Sequence, residues 1–199
     1  MFKNYKVLKG IINKQVCDIA VRYCELTKTK AKYLLDNNLI PFDSTTYGIF
    51  GDGQIPKKDV FAYYGSDFFD SLLVFLKKDM ERETNKKLKC MYSYFRIYTK
   101  GSVLSSHKDR KACEFSTTLN LGGDPWPIYF LIDDKEVEIT LKPGDMIIYK
   151  GADLKHWRNK FKGKKCYQVF LHYTDVKSKT SLNDGRAVLG ISTKMRNHG

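Results

Sequence analysis

Two hydrophobic periods divide the chain. Between positions 13 and 37, apolar side chains at Val16, Ile19, Ala20, Tyr23, Leu26, Tyr33, Leu34 and Leu35 recur every three or four residues, the spacing of one helix face. Asn37-Asn38 supplies a stop, and positions 27–29, all Thr or Lys, mark a candidate break. A second helix is predicted where Ser66 can act as N-cap, Asp67 sits in the first turn, and Phe69, Leu72, Leu73, Leu76 and Met80 share a face. It ends before Lys86-Lys87. Beyond Leu88 the period falls to two, which predicts strands over 91–98, 114–121, 128–132, 136–141, 146–149 and 167–173. Short strands in this rhythm suit a double-sheet jelly roll, so the expected class is α+β, mainly β, a barrel supported by N-terminal helices.

No internal repeat or Gly/Ser/Pro-rich linker interrupts the chain, and 199 residues suit one domain that buries a core unaided. We divide it into supporting helices with a lid loop (1–87), a jelly-roll core (88–175) and a C-terminal arm (176–199). The loop is the stretch 41–65, where Gly48, Gly51, Gly53 and Pro56 alternate with aromatics. A hydrophobic fraction of 42% and an aromatic fraction of 14% exclude a disordered chain. No apolar run approaches the roughly 20 residues of a bilayer span, and the first 13 residues scatter lysines instead of leading into a hydrophobic stretch. The expectation is a soluble, cytoplasmic protein with no membrane partner.

Cys17, Cys24, Cys90, Cys113 and Cys166 are odd in number, irregularly spaced and without a C-x-x-C pair, which argues for reduced thiols and against a zinc ribbon. The net charge of +13 attracts anionic partners such as nucleic acid. Only seven of the 35 basic residues are Arg, and the lysines run along the whole chain instead of forming one stripe.

The candidate chemistry lies in the strand-rich half. In His107-Lys108-Asp109, positions i and i+2 of an extended segment point to the same side, so both offer a ligand atom to one ion. His156, after the Pro143-Gly144-Asp145 turn and a hydrophobic strand, is the natural third ligand. Two His and one carboxylate leave adjacent coordination positions open, the geometry of non-haem Fe(II) oxygenases. H-x-D alone is a weak signal, but here it sits in a longer pattern: Tyr98-x-x-Gly101, His107-x-Asp109, Asn120-Leu121-Gly122, Leu141-x-Pro143-Gly144-Asp145, then His156.

Over about 91–175 this pattern resembles the 2-oxoglutarate and Fe(II)-dependent dioxygenases, most closely their prolyl 4-hydroxylase-like branch. The resemblance implies the double-stranded β-helix form of the jelly roll, with His107, Asp109 and His156 as iron ligands and Tyr98 contacting 2-oxoglutarate. It implies hydroxylation of a C–H bond by O2, coupled to decarboxylation of 2-oxoglutarate to succinate and CO2, with ascorbate as an accessory reductant. A basic residue nine or ten positions beyond the distal His should clamp the far carboxylate of 2-oxoglutarate. Those positions hold Lys165 and Cys166, and alternation with Gln168, Phe170 and His172 turns Cys166 inward. Arg158, on the His156 face, is our first choice for the clamp, Lys165 the second and Arg96 the third.

By parity Ser116, Thr118 and Asn120 also face inward, with Thr118 a candidate co-substrate contact. Tyr92 and Tyr94 share the Tyr98 face, as a substrate wall or as core. His172 reads as support for the site, as a core histidine or as a fourth metal contact, and Trp126 and Trp157 as packing. The expected substrate is a peptide or protein. An oxidative nucleic-acid demethylase is the alternative that the charge favours, although Cys166 and His172 stand where that branch has paired arginines. A non-enzymatic, cupin-like metal-binding module is the third reading.

Overall fold

In the computed structural model, which describes Phe2 and residues 4–57, 59–178 and 188–189, two antiparallel sheets face each other. The larger has the order β1-β9-β6-β11-β4-β3-β2, built from β1 (Tyr5–Leu8), β2 (Ile49–Phe50), β3 (Phe61–Tyr64), β4 (Leu88–Thr99), β6 (Phe115–Gly123), β9 (Met146–Tyr149) and β11 (Lys165–Asp175). The smaller has the order β5-β10-β7-β8, from β5 (Leu104–His107), β7 (Ile128–Ile132), β8 (Lys135–Ile139) and β10 (His156–Arg158). Helices α1 (Lys14–Asp36), α2 (Asp67–Phe75) and α3 (Lys77–Thr84) complete the described elements.

Alternation along the strands gives the larger sheet two different faces. One carries Phe95, Ile97, Leu119, Leu121, Met146, Ile148, Val169 and Leu171, and it packs with the helices into the main hydrophobic core. The other faces the smaller sheet. Register pairs Tyr98 with Cys166, Arg96 with Gln168, Tyr94 with Phe170 and Tyr92 with His172 across β4 and β11. It also pairs Ser116 with both His172 and Tyr149. Every residue to which the sequence assigns an inward role on these strands therefore shares one face.

The first helix is unbroken. The Thr27 hydroxyl bonds back to the Tyr23 carbonyl at 2.8 Å, so it is absorbed within the helix instead of ending it. At the start, Asn13 Oδ1 accepts the Val16 N–H at 2.9 Å, a standard N-cap. The buried face is Cys17, Ala20, Cys24 and Ala31, whereas Ile19, Leu26 and Tyr33 are exposed. Small residues let the helix lie close on the sheet, where Glu25 reaches the Tyr167 hydroxyl and Lys165. The predicted second helix starts as expected, with Ser66 accepting the Phe69 N–H, but it divides at Leu76 into α2 and α3. Between them and β4, the buried Asp70 carboxylate accepts both the Ser93 N–H and hydroxyl.

The division at residue 88 needs correction. The larger sheet also recruits β1, and it takes β2 and β3 out of the stretch read as irregular loop. Strands β5 and β10 are likewise additions, each too short to show a period. Of the expected arm, 179–187 and 190–199 lie outside the described residues. Val188 packs against the cluster containing Tyr92 and Tyr94, and the Leu189 N–H bonds to the Met91 carbonyl.

Candidate active site

Strand pairing brings the histidines together. In the smaller sheet β5 and β10 run antiparallel with His107 opposite His156, and their rings lie 4.3 Å apart between centroids. His107 Nδ1 lies 2.8 Å from the Ser105 carbonyl and His156 Nδ1 3.0 Å from the Leu154 carbonyl. Each carbonyl can only accept, so both rings carry the proton on Nδ1 and turn an Nε2 lone pair inward. Those two atoms lie 3.7 and 3.6 Å from Asp109 Oδ1. His107, Asp109 and His156 form the one group of three or more His, Cys, Asp or Glu donors converging within 4.8 Å among the described residues.

The surroundings favour ligation. Burial pulls the His156 imidazole below the usual histidine range, against the pull of the Asp109 charge, and so keeps the lone pair available. Tyr149 and Phe130 pack on its ring at 4.9 and 5.8 Å. The Asp109 N–H bonds to the Gly151 carbonyl at 2.8 Å, which fixes the turn after β5. Gly151 is also required for its lack of a side chain, because a Cβ there would collide with Asp109 Oδ2 and Ser116 Oγ. We expect Gly151→Ala to weaken metal binding about 10- to 100-fold, as displacing the groups that orient a metal ligand does, measured by Mn(II) titration.

The three donors open on a cavity of about 300 Å³ between the sheets. At its deep end lies Arg158, only 1% exposed. Its Nη1 donates to the Trp126 carbonyl, and the guanidinium lies 5.2 Å from the Trp126 ring centroid. Among the described residues, Nε and Nη2 have no hydrogen-bond partner. Burial pulls its pKa below the usual arginine value, and the guanidinium nevertheless stays charged at neutral pH. A buried cation with two idle donors calls for an anion. Tyr98, edge-on to Trp126 at 4.7 Å, accepts from Arg96 Nη1 at 3.3 Å, which leaves its own proton to donate. Thr118 and Tyr149 complete this end.

No protein-family model matches the chain, and no curated protein matches it. Solved structures do. HygX from Streptomyces hygroscopicus, with nickel, 2-oxoglutarate and hygromycin B bound, superposes with a TM-score of 0.66 at 12% identity, covering 95% of this chain and 92% of that one. A Pseudomonas putida prolyl-4-hydroxylase gives 0.61 at 11% identity over 86% and 92%. The viral collagen prolyl hydroxylase of Paramecium bursaria Chlorella virus-1, a 2-oxoglutarate complex, gives 0.58 at 14% over 87% and 97%. The chain has the jelly-roll fold of these oxygenases. At such identities the likeness is one of fold, and it extends over the helices as well as the strands.

Within this oxygenase fold most sequence candidates meet at the cavity: Tyr98, His107, Asp109, Thr118, His156 and Arg158 all line it. Lys165 does not. It lies 46% exposed on the outer face, 2.7 Å from Glu25, because alternation at the start of β11 turns Cys166 inward instead. Arg96 lines the cavity, but its donors are taken by Asp52, Gln54, Tyr94 and Tyr98. Burial would raise the Asp52 carboxyl, yet the Arg96 charge and the Tyr94 hydroxyl hold it below the usual range. This link places Asp52, Gly53 and Gln54 of the expected lid loop against the cavity.

Tyr92 and Tyr94 line the same side with Tyr64 and Phe170, and Tyr64 stacks on Tyr94 at 3.9 Å. Trp157 packs outward on Tyr129, as read, and Trp126 packs in a buried cluster with Tyr98 and Phe161, its ring against the Arg158 guanidinium. Tyr149 was not singled out. Parity along β9 could have found it, since it pairs with inward-facing Ser116.

Proposed function

We propose that this protein is a 2-oxoglutarate- and Fe(II)-dependent dioxygenase that hydroxylates a C–H bond in a peptide or protein. One observation carries the reading: an open His-Asp-His triad shares its cavity with a fully buried arginine that keeps two donors unpartnered among the described residues. The donor set suits Fe(II), since two imidazoles and one carboxylate form a facial triad with open positions. A closed zinc site needs a fourth protein ligand, and none converges among the described residues. That weighs against the cupin-like binding module. The fold neighbours, which include structures with 2-oxoglutarate bound, support the same choice.

When bound there, Fe(II) and 2-oxoglutarate supply the activation of O2 that couples decarboxylation to succinate and CO2 with C–H hydroxylation. The chain's own residues do the rest. His107 and His156 present neutral Nε2 atoms, and Asp109 presents Oδ1. Arg158 anchors the far carboxylate by a charge-assisted bond, with the Tyr98 hydroxyl as second donor. Leu104 and Ile128 exclude water around that end. Tyr64, Tyr92, Tyr94 and Phe170 wall the opposite side, a slot of ring faces suited to a flat or cyclic side chain such as proline.

The prolyl preference rests on that aromatic slot and on two prolyl hydroxylases among the fold neighbours. To test it, proline-containing peptides are incubated with protein, Fe(II), 2-oxoglutarate and ascorbate under air. We expect some to gain the mass of one oxygen by mass spectrometry. If proline peptides stay unmodified while methylated single-stranded DNA loses its methyl groups, the demethylase reading replaces this one.

A further inference from the structure

We propose that His172 is a positioning residue: acting through Ser116, it holds Asp109 so that a single carboxylate oxygen faces the two imidazoles. The inference rests on reading the triad as a metal site, and it concerns how many coordination positions the protein leaves open there.

Proton counting sets the direction of the chain of bonds. Ser116 Oγ lies 2.6 Å from Asp109 Oδ2, 3.1 Å from His172 Nδ1 and 3.3 Å from the Cys113 carbonyl. A serine hydroxyl has one proton, and the short contact to a carboxylate claims it over a neutral carbonyl at longer range. His172 Nδ1 must then be the donor to Ser116 Oγ. The relay runs from His172 N–H to Ser116 O–H to Asp109 Oδ2. It leaves Oδ1 as the atom 3.6 to 3.7 Å from both Nε2 atoms.

The strands build this arrangement. Register on β6 and β11 places Ser116 directly opposite His172, and the His172 ring rests against Tyr92 at 4.6 Å. Gly151 closes the other side without a Cβ. His172 is not itself among the converging metal donors, though it lines the same cavity. A carboxylate free to rotate could chelate an ion through both oxygens and use up a position that the chemistry needs. Holding Oδ2 by a hydroxyl that is itself held prevents that rotation.

The test is Co(II) titration of the protein, following the visible absorption that reports affinity and coordination number together. Ser116→Ala should bind about 10- to 100-fold more weakly than wild type, and His172→Leu about tenfold more weakly, both with a changed spectrum. His172→Asn, whose amide N–H reaches the place of the Nδ1 proton, should stay within about threefold of wild type. Because His172 acts through Ser116, adding His172→Leu to Ser116→Ala should cause no further loss. A His172→Leu variant that binds as wild type overturns the proposal, as does an Asn variant as weak as Leu, or losses that multiply in the double variant. Wild-type protein that takes up no Co(II) at the triad instead overturns the metal-site reading on which the proposal stands. Ser116→Ala changes almost no volume and His172→Asn keeps a polar side chain at the cavity, so the comparison survives even if the leucine variant fails to fold.

Discussion

Replacing Arg158 with methionine is expected to remove 2-oxoglutarate binding while leaving the protein at least as stable to heat. The two halves have one cause. Arg158 is buried, and its Nε and Nη2 atoms bond to nothing in the described structure. A buried charge of this kind opposes folding, and exchanging it for an apolar side chain of similar length is neutral or stabilising. In the complex the same donors meet a carboxylate. Truncating one partner of a buried charge pair costs about 2–5 kcal/mol, which is roughly 30-fold to several thousandfold in affinity. Thermal unfolding with and without 2-oxoglutarate and redox-silent Mn(II) reads both effects. Wild type should be stabilised by ligand, by about 2.7 kcal/mol at a hundredfold excess over Kd. Arg158→Met should show no such shift from an equal or higher starting Tm. A variant that melts earlier yet still responds to ligand would make Arg158 a structural residue. Lys165→Ala serves as the control: its exposed bond to Glu25 is worth less than about 1 kcal/mol, and its loss should leave ligand binding unchanged.

The second large effect separates two ligands of one ion by their stability. His107→Ala and His156→Ala should each weaken metal binding by more than about 100-fold, because a missing ligand costs at least as much as a missing outer-shell partner. Their metal-free forms should differ. The His107 side chain is 23% exposed and that of His156 only 3%. The His156 ring is enclosed by Tyr149 and Phe130, so its removal leaves a cavity and should cost about 2 kcal/mol or more in urea denaturation. Removing His107 should change metal-free stability by less than about 0.5 kcal/mol. Equal stability losses would contradict the placement of the two rings, and retained metal binding in either variant would contradict the triad.

How much of this was legible in the sequence follows from what each signal measures. Period-two alternation located β4, β6, β7, β9 and β11 because each runs long enough, or is bounded sharply enough, for parity to show. Parity also turned Cys166 inward, which moved the clamp from Lys165 to Arg158. It could not reveal β5 and β10, at four and three residues, although these carry the histidines. Their pairing is a tertiary fact, set when β10 enters between β5 and β7. On α1, three- and four-residue spacing of apolar residues took in Ala20 together with Ile19, Leu26 and Tyr33, which are exposed, while contact with the sheet selected Cys17, Ala20, Cys24 and Ala31. Close approach of helix to sheet rewards small side chains, and a hydrophobicity count is blind to that. β1 and β2 read poorly because edge strands borrow half their order from a neighbour. The contact of Trp126 with Arg158 was hidden for a similar reason, since it depends on an arginine 32 positions away on the neighbouring strand β10.

The most direct test of the central claim follows 2-oxoglutarate by NMR with Fe(II) and ascorbate under air, comparing the intact protein with His107→Ala. The account predicts that 2-oxoglutarate is converted to succinate by the intact protein and left unchanged by the variant. Intact protein that leaves 2-oxoglutarate untouched even with peptide substrates present, or a variant that forms succinate at the wild-type rate, would contradict it.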